Sequence, residues 1–162
     1  LEREHSPLRM TLTVAGLFPS DGEESEYCRR VASPDLAGAV EYAGFVAGTE
    51  KSRLLAECDC LCFPSYYHAE SFGLVVVEAM AAGMAVVTTR WRAIPELLPA
   101  DYVGFVPQRD PAAIAHMLQQ QFVVDDAERL RAYFLANFTE DRHVQFLTAA
   151  LQRVEEVTAA SA

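Results

Sequence analysis

Two glutamates eight positions apart, Glu70 and Glu78, lie in the stretch FPSYYHAESFGLVVVEAMAAGMAVVTT, residues 63–89. An apolar strand, a polar aromatic loop, an apolar helix and a second strand follow one another there, which puts the pair on either side of a helix start near Phe72. The first turn of a helix carries free backbone N–H groups and partial positive charge, so it attracts anions. Gly73 removes a side chain where a phosphate could approach the backbone of Ser71, Phe72, Gly73 and Leu74. At 1.5 Å per residue, Glu78 comes roughly 9 Å along the axis from that first turn. A carboxylate at that distance can accept hydrogen bonds from two vicinal hydroxyls, as on a ribose. Glu70, on the other side of the phosphates, can accept one from a sugar. The spacing fits a nucleotide sugar.

Such a site needs strands that end where the loop begins. Short apolar runs rich in Val, Phe and Thr alternate with helical patterns, the signature of β-α-β units around a parallel sheet. The expected strands are Met10–Ala15, Val40–Phe45, Cys58–Phe63, Ala85–Thr89 and Val103–Val106. Helices are expected over Glu23–Ala32, over Lys51–Glu57 and from Phe72 to Gly83, where glycine suits a left-handed helix end. Asp110 before Pro111 reads as an N-cap with a first-turn proline, and Ile114, Met117, Leu118 and Phe122 share one face of the helix that follows. Two further helices are expected, from about Asp126 and from about Thr139. In an open α/β sheet of this kind, ligands sit beyond the carboxyl ends of the strands, where Glu70 falls. The 162 residues show no repeat or linker and are expected to form one domain, residues 1–162. The opening LEREHSPLR reads as the tail of a helix, from which an earlier segment is expected.

Composition narrows the function classes. With 51% hydrophobic residues the chain buries a core, and 23 acids against 13 bases give a net charge of −10. Such a surface repels nucleic-acid backbones and anionic lipid. No apolar run approaches the roughly 20 residues of a membrane helix. A cytoplasmic location is therefore expected, the full-length protein being compatible with association at a membrane. Of the four cysteines, Cys58, Cys60 and Cys62 alternate along one strand and read as small packing residues in a reducing compartment. His68 has no second ligand at a metal-binding spacing, so no metal and no cofactor is expected. His116 and His143 read as helix residues without a chemical role.

The stretch PSYYHAESFGLVVVEAMAAGMAVV, with YAGF before it and IPELL after it, resembles the donor-binding, C-terminal half of GT-B retaining glycosyltransferases of family 4, glycosyl transferases group 1. The resemblance covers about residues 10–140. It implies an α/β, Rossmann-like parallel sheet flanked by helices, one half of a GT-B fold. It implies that Glu70 contacts hydroxyls of the transferred sugar near the reacting face, that the amides of Ser71 to Leu74 hold the pyrophosphate and that Glu78 holds the ribose. The turn at Phe45 and Val46 would read the nucleobase. The implied partner is a nucleoside-diphosphate sugar, with the acceptor held by an N-terminal half that is expected to be missing.

Departures accompany the likeness. The family's Arg and Lys that neutralise the donor diphosphate find no match: the only lysine is Lys51, and Gly16-Leu17-Phe18 offers no cation. The loop TRWRAIPE has Arg92 and Ala93 in place of a common glycine pair, and Arg90 and Arg92 read as facing solvent. Two other readings compete: a non-catalytic GT-B-like module that assembles with another subunit, favoured by the missing clamp, and a sugar-nucleotide epimerase. Without the family, Glu70 reads as an acid favouring a helix dipole, Glu78 as a solvent-facing residue and Gly73 as a turn. Tyr66 and Tyr67 either line a pocket or cap the sheet edge, and Trp91 either fixes the turn before Ile94 or marks a contact surface.

Overall fold

The computed structural model describes residues 10–120 and 125–160. The chain divides into two compact units, residues 1–54 and 55–162.

In the first unit, β1 (Leu12–Ala15) pairs in parallel with β2 (Val40–Gly44), Leu12 opposite Val40. The crossover is α1 (Asp21–Val31). It starts two residues earlier than expected because Ser20 caps it, its hydroxyl accepting from the Glu23 amide at 3.3 Å. The Ser20-x-x-Glu23 spacing is a capping signal legible in the sequence. Phe18, Tyr27 and Tyr42 form a ring cluster with centroids 5.1–5.9 Å apart. Tyr42 also donates to the Gly16 carbonyl at 2.9 Å, fixing the turn after β1. The loop SPDLAGA holds a short 3-10 helix, Pro34–Leu36, and α2 (Gly48–Glu57) starts three residues before its expected first residue, Lys51.

In the second unit, β3 (Cys60–Phe63), β4 (Ala85–Thr89) and β5 (Phe105–Val106) form a parallel sheet in that order. Helix α3 (Leu74–Ala82) connects β3 to β4. It ends on Gly83 at φ 77, the left-handed cap that the sequence leads one to expect. Every residue of β4 is buried, as befits the middle strand. Val76, Ala79 and Met80 of α3 meet Val86, Ile94, Leu97, Leu98, Tyr102 and Leu130 in one core. Leu130 comes from α5 (Asp125–Asn137), which packs on α3. Helix α4 (Pro111–Gln120) is capped by Asp110, whose carboxylate accepts from the Ala113 amide at 2.9 Å. The last helix is α6 (Glu140–Ala160).

The α/β class with parallel strands is as expected, whereas several strand ends are shorter. β1 lacks Met10 and Thr11, β2 stops before Phe45, and β3 starts at Cys60 rather than Cys58. β5 contains only Phe105 and Val106, with Val103 exposed. A 3-10 helix, Ile94–Leu97, buries Ile94 and Leu97. The expected helix tail LEREHSPLR and the core position of Phe122 lie outside the described residues. No described helix is long and apolar enough to cross a membrane.

The β3 thiols have a testable consequence. Burial pushes the Cys60 thiol up to about 12 and raises that of Cys62. An unfolded thiol ionises near 9, so the folded chain keeps the Cys60 proton longer. Stability from this group is complete below pH 9 and is lost as the pH climbs toward 12. At pH 8 a disulfide reagent is expected to modify exposed Cys28 quickly and the half-buried Cys60 and Cys62 more slowly, as peptide mapping of timed samples will show.

Candidate functional site

The loop from Pro64 to Gly73 leaves the carboxyl end of β3, and its last residues begin α3. Gly73 is the N-cap, at φ 74 and ψ 47, a left-handed conformation that glycine enters without strain. A Cβ on Gly73 would lie 3.1 Å from Ile94 Cγ1, so backbone and packing both call for glycine there. The Glu70 carboxylate folds back over the turn and accepts from the Gly73 amide at 2.9 Å. Glu70 thus stabilises the helix start, as the bland reading of this acid had it. Ser71, Phe72 and Leu74 are exposed around the buried Gly73, and Glu78 is half-buried on α3. Residues 70–74 therefore form one continuous turn with Glu78 further along the same helix. Phe45 and Val46 follow β2 in the first unit, where Phe45 is 66% exposed.

Three side chains from the end of β4 and its following turn hold the β3–α3 loop by its carbonyls. Thr89 donates to Ser65, the Trp91 indole N–H donates to Tyr67 at 2.7 Å, and Arg92 donates to His68 at 2.7 Å. Thr88 reaches the Phe63 carbonyl at 2.8 Å in the same way. The Trp91 side chain therefore holds the β3–α3 loop, which is neither of the two roles read from the sequence; in the turn before Ile94 it takes part through its backbone carbonyl, which accepts from the Ile94 amide at 3.1 Å. Arg92 is exposed as expected, though tied to the loop by this bond, and Arg90 lies with its guanidinium 4.0 Å over the Phe105 ring. The threonine ties went unnoticed in the sequence. Their signal was two hydroxyls at the end of a fully apolar-flanked strand, because buried hydroxyls must find partners. Tyr66 and Tyr67 line an open concavity of about 530 Å³ with Pro64, Ser65, His68 and Arg109. Arg109, like Thr88 and Thr89, was not singled out in the sequence. Among the described residues no group of three or more His, Cys, Asp or Glu side chains is placed to hold a metal ion.

The parallel sheet and the helices that connect its strands have the α/β arrangement seen in GT-B glycosyltransferase structures, and comparison with known proteins gives the family. The family model for glycosyl transferases group 1 matches residues 2–122, and the chain belongs to that family. It is 34% identical over 144 residues to phosphatidyl-myo-inositol mannosyltransferase of Mycolicibacterium smegmatis, covering 86% of this chain and 36% of the relative. The Mycobacterium leprae enzyme of that name is 33% identical over 127 residues, covering 72% of this chain and 33% of the relative. The chain thus spans about a third of the length of these relatives. In fold it is similar to Anabaena Alr3699/HepE in complex with UDP, at a TM-score of 0.75 and 24% identity over 89% of this chain and 41% of that one. The C-terminal domain of a group 1 family protein (LpcC) from Francisella tularensis matches at a TM-score of 0.58 and 23% identity, over 75% of this chain and 67% of that one.

Proposed function

We propose that this chain is the donor half of a glycosyltransferase that moves a sugar from a nucleoside-diphosphate sugar to an acceptor with retention of anomeric configuration. The observation that carries the reading is the α3 start: a glycine N-cap at Gly73 among the exposed residues Ser71, Phe72 and Leu74, with carboxylates from Glu70 before it and Glu78 after it. In this reading the amides of Ser71, Phe72, Gly73 and Leu74 receive the diphosphate and Glu78 holds the ribose hydroxyls. The Gly73 amide bonded to Glu70 exchanges that carboxylate for a phosphate oxygen, and the freed Glu70 orients the donor sugar. The diphosphate leaves as the acceptor oxygen arrives on the same face, and amides fixed beforehand stabilise the charge that develops on it. The proposed reaction uses no metal and no cofactor; the nucleotide sugar is a substrate. Its acceptor is held by the other half of the GT-B arrangement. The structural relative that binds UDP supports a uridine nucleotide as the first ligand to try.

Calorimetric titration with UDP, GDP and ADP at low ionic strength tests the reading. One nucleotide is expected to bind saturably, and Glu78→Ala to weaken it by about 1 kcal/mol or more, the scale of a hydrogen bond to a charged group. Failure of all three to bind at millimolar concentration would contradict it. The 162 residues alone are expected to bind weakly and to show no measurable transfer, since the cationic clamp of the family has no match among them.

A further inference from the structure

We propose that the concavity beside the donor loop is a subsite for an anionic sugar ring, with Arg109 as the residue that selects the charge. The proposal rests on the glycosyl-transfer reading and adds a ligand class to it. Pro64 follows β3 and Arg109 follows β5, and these parallel strands flank β4, so both loops leave the same end of the sheet. That is the end at which α/β sheets bind ligands.

Backbone strain marks the place. Among the described residues, the non-glycine residues at positive φ are Arg92 (φ 50) and Arg109 (φ 58). Both act on one loop: Arg92 donates to the His68 carbonyl, and the Arg109 guanidinium lies 4.9 Å from the centroid of the Tyr66 ring. A glycine would sit at either position without strain, and strained residues of this sort cluster at ligand sites. A guanidinium placed over an aromatic ring keeps N–H groups with which it can engage a planar carboxylate or a phosphate. Among the described residues no carboxylate pairs with Arg109. The nearest acid in sequence, Asp110, accepts from the amide of the helix it caps.

A chain of net charge −10 has here a concavity lined by an arginine and a histidine and by no acid. Tyr67 is 60% exposed and offers a ring surface to the apolar face of a sugar. The ties from Thr89, Trp91 and Arg92 hold the loop backbone in place beforehand, which lowers the ordering cost of binding. The volume of about 530 Å³ is in the range of small-molecule sites.

Nuclear magnetic resonance titration of the labelled chain, following the amides of Tyr66, Tyr67, His68 and Arg109, tests this. Glucuronate and glucose 6-phosphate are expected to shift these signals saturably at concentrations where neutral glucose does not. Arg109→Gly should weaken the response about tenfold or more, while its thermal midpoint stays at or above that of the parent because the left-handed backbone is relieved. A preference for UDP-glucuronate over UDP-glucose assigns the ring to the donor, and a preference confined to the free sugars assigns it to the acceptor; either supports the subsite. Equal response to glucose and to the anionic sugars, or an undiminished response in Arg109→Gly, would overturn it. UDP titrated on the same sample, read at the α3 amides, tests the donor reading separately, so that the two failures are told apart.

Discussion

Gly104→Ala is expected to destabilise the second unit by about 2–6 kcal/mol, as overpacking of about 1–3 adds to a lost buried hydrogen bond of similar size. A Cβ on Gly104 would overlap the Val86 carbonyl oxygen and the Tyr102 hydroxyl, and would lie 2.7 Å from Tyr102 Cζ. Neither neighbour has room to yield. Val86 belongs to β4, the middle strand, and Tyr102 is 2% exposed with its hydroxyl donating to that same carbonyl. Gly104 in turn accepts from the Thr88 amide at 3.1 Å, so moving it disturbs the pairing of β4 with β5. Total stability is about 5–15 kcal/mol for a typical domain, so the loss is a large fraction. Urea titration followed by the fluorescence of Trp91, the only tryptophan, measures it in this unit. Tyr102→Phe combined with Gly104→Ala should cost less than the two separately, since both break one hydrogen bond. An unfolding free energy for Gly104→Ala within about 0.5 kcal/mol of the parent, the range of an ordinary surface change, would contradict this packing account.

The second large effect is at the site. Gly73→Ala adds a left-handed strain of about 1–2 kcal/mol, and its methyl meets Ile94, which is fully buried and has no exit to solvent. A total of about 2–3 kcal/mol is expected, the contact contributing roughly 1 through overpacking. Gly83→Ala is the control, because Gly83 has nearly the same φ and nothing within 4 Å of its Cβ. The difference between the two variants, read from the same urea titrations, isolates the contact with Ile94. Gly73→Ala should also weaken nucleotide binding, because the strain falls on the turn whose amide Glu70 now holds, whereas Gly83→Ala should not. Equal cost in the two variants would contradict the packing account.

Much of this was legible in the residues because it depends on local rules. The limits of β4 coincide with the run Ala85–Thr89, since a fully buried strand is one unbroken apolar run with its hydroxyls at the end. Gly83 and Asp110 cap the helices their types suit. The motif from Glu70 to Glu78 spans one loop and one helix, so its geometry follows from chain order alone. What was not legible depends on residues distant in sequence. The ties from Thr88, Thr89, Trp91 and Arg92 to carbonyls about 24 positions earlier arise only when β3 and β4 pair. The contact of Gly104 with Val86 and Tyr102 arises the same way, and it explains a glycine that sequence reading left without a role. Glu70 is a subtler case. A helix-start acid and a sugar-binding acid have one sequence signal, and the bond from the Gly73 amide shows the first.

The most direct test of the donor assignment is an amide map of the labelled chain with increasing UDP, recorded for the parent and for Glu78→Ala. The account predicts that the amides of Ser71, Phe72, Gly73 and Leu74 move first and furthest, Gly73 most of all as it passes from the Glu70 carboxylate to a phosphate. It also predicts that Glu78→Ala leaves the pattern intact while raising the dissociation constant about fivefold or more. Shifts that saturate elsewhere while these four amides stay still, or a Glu78→Ala titration that superimposes on the parent, would contradict it.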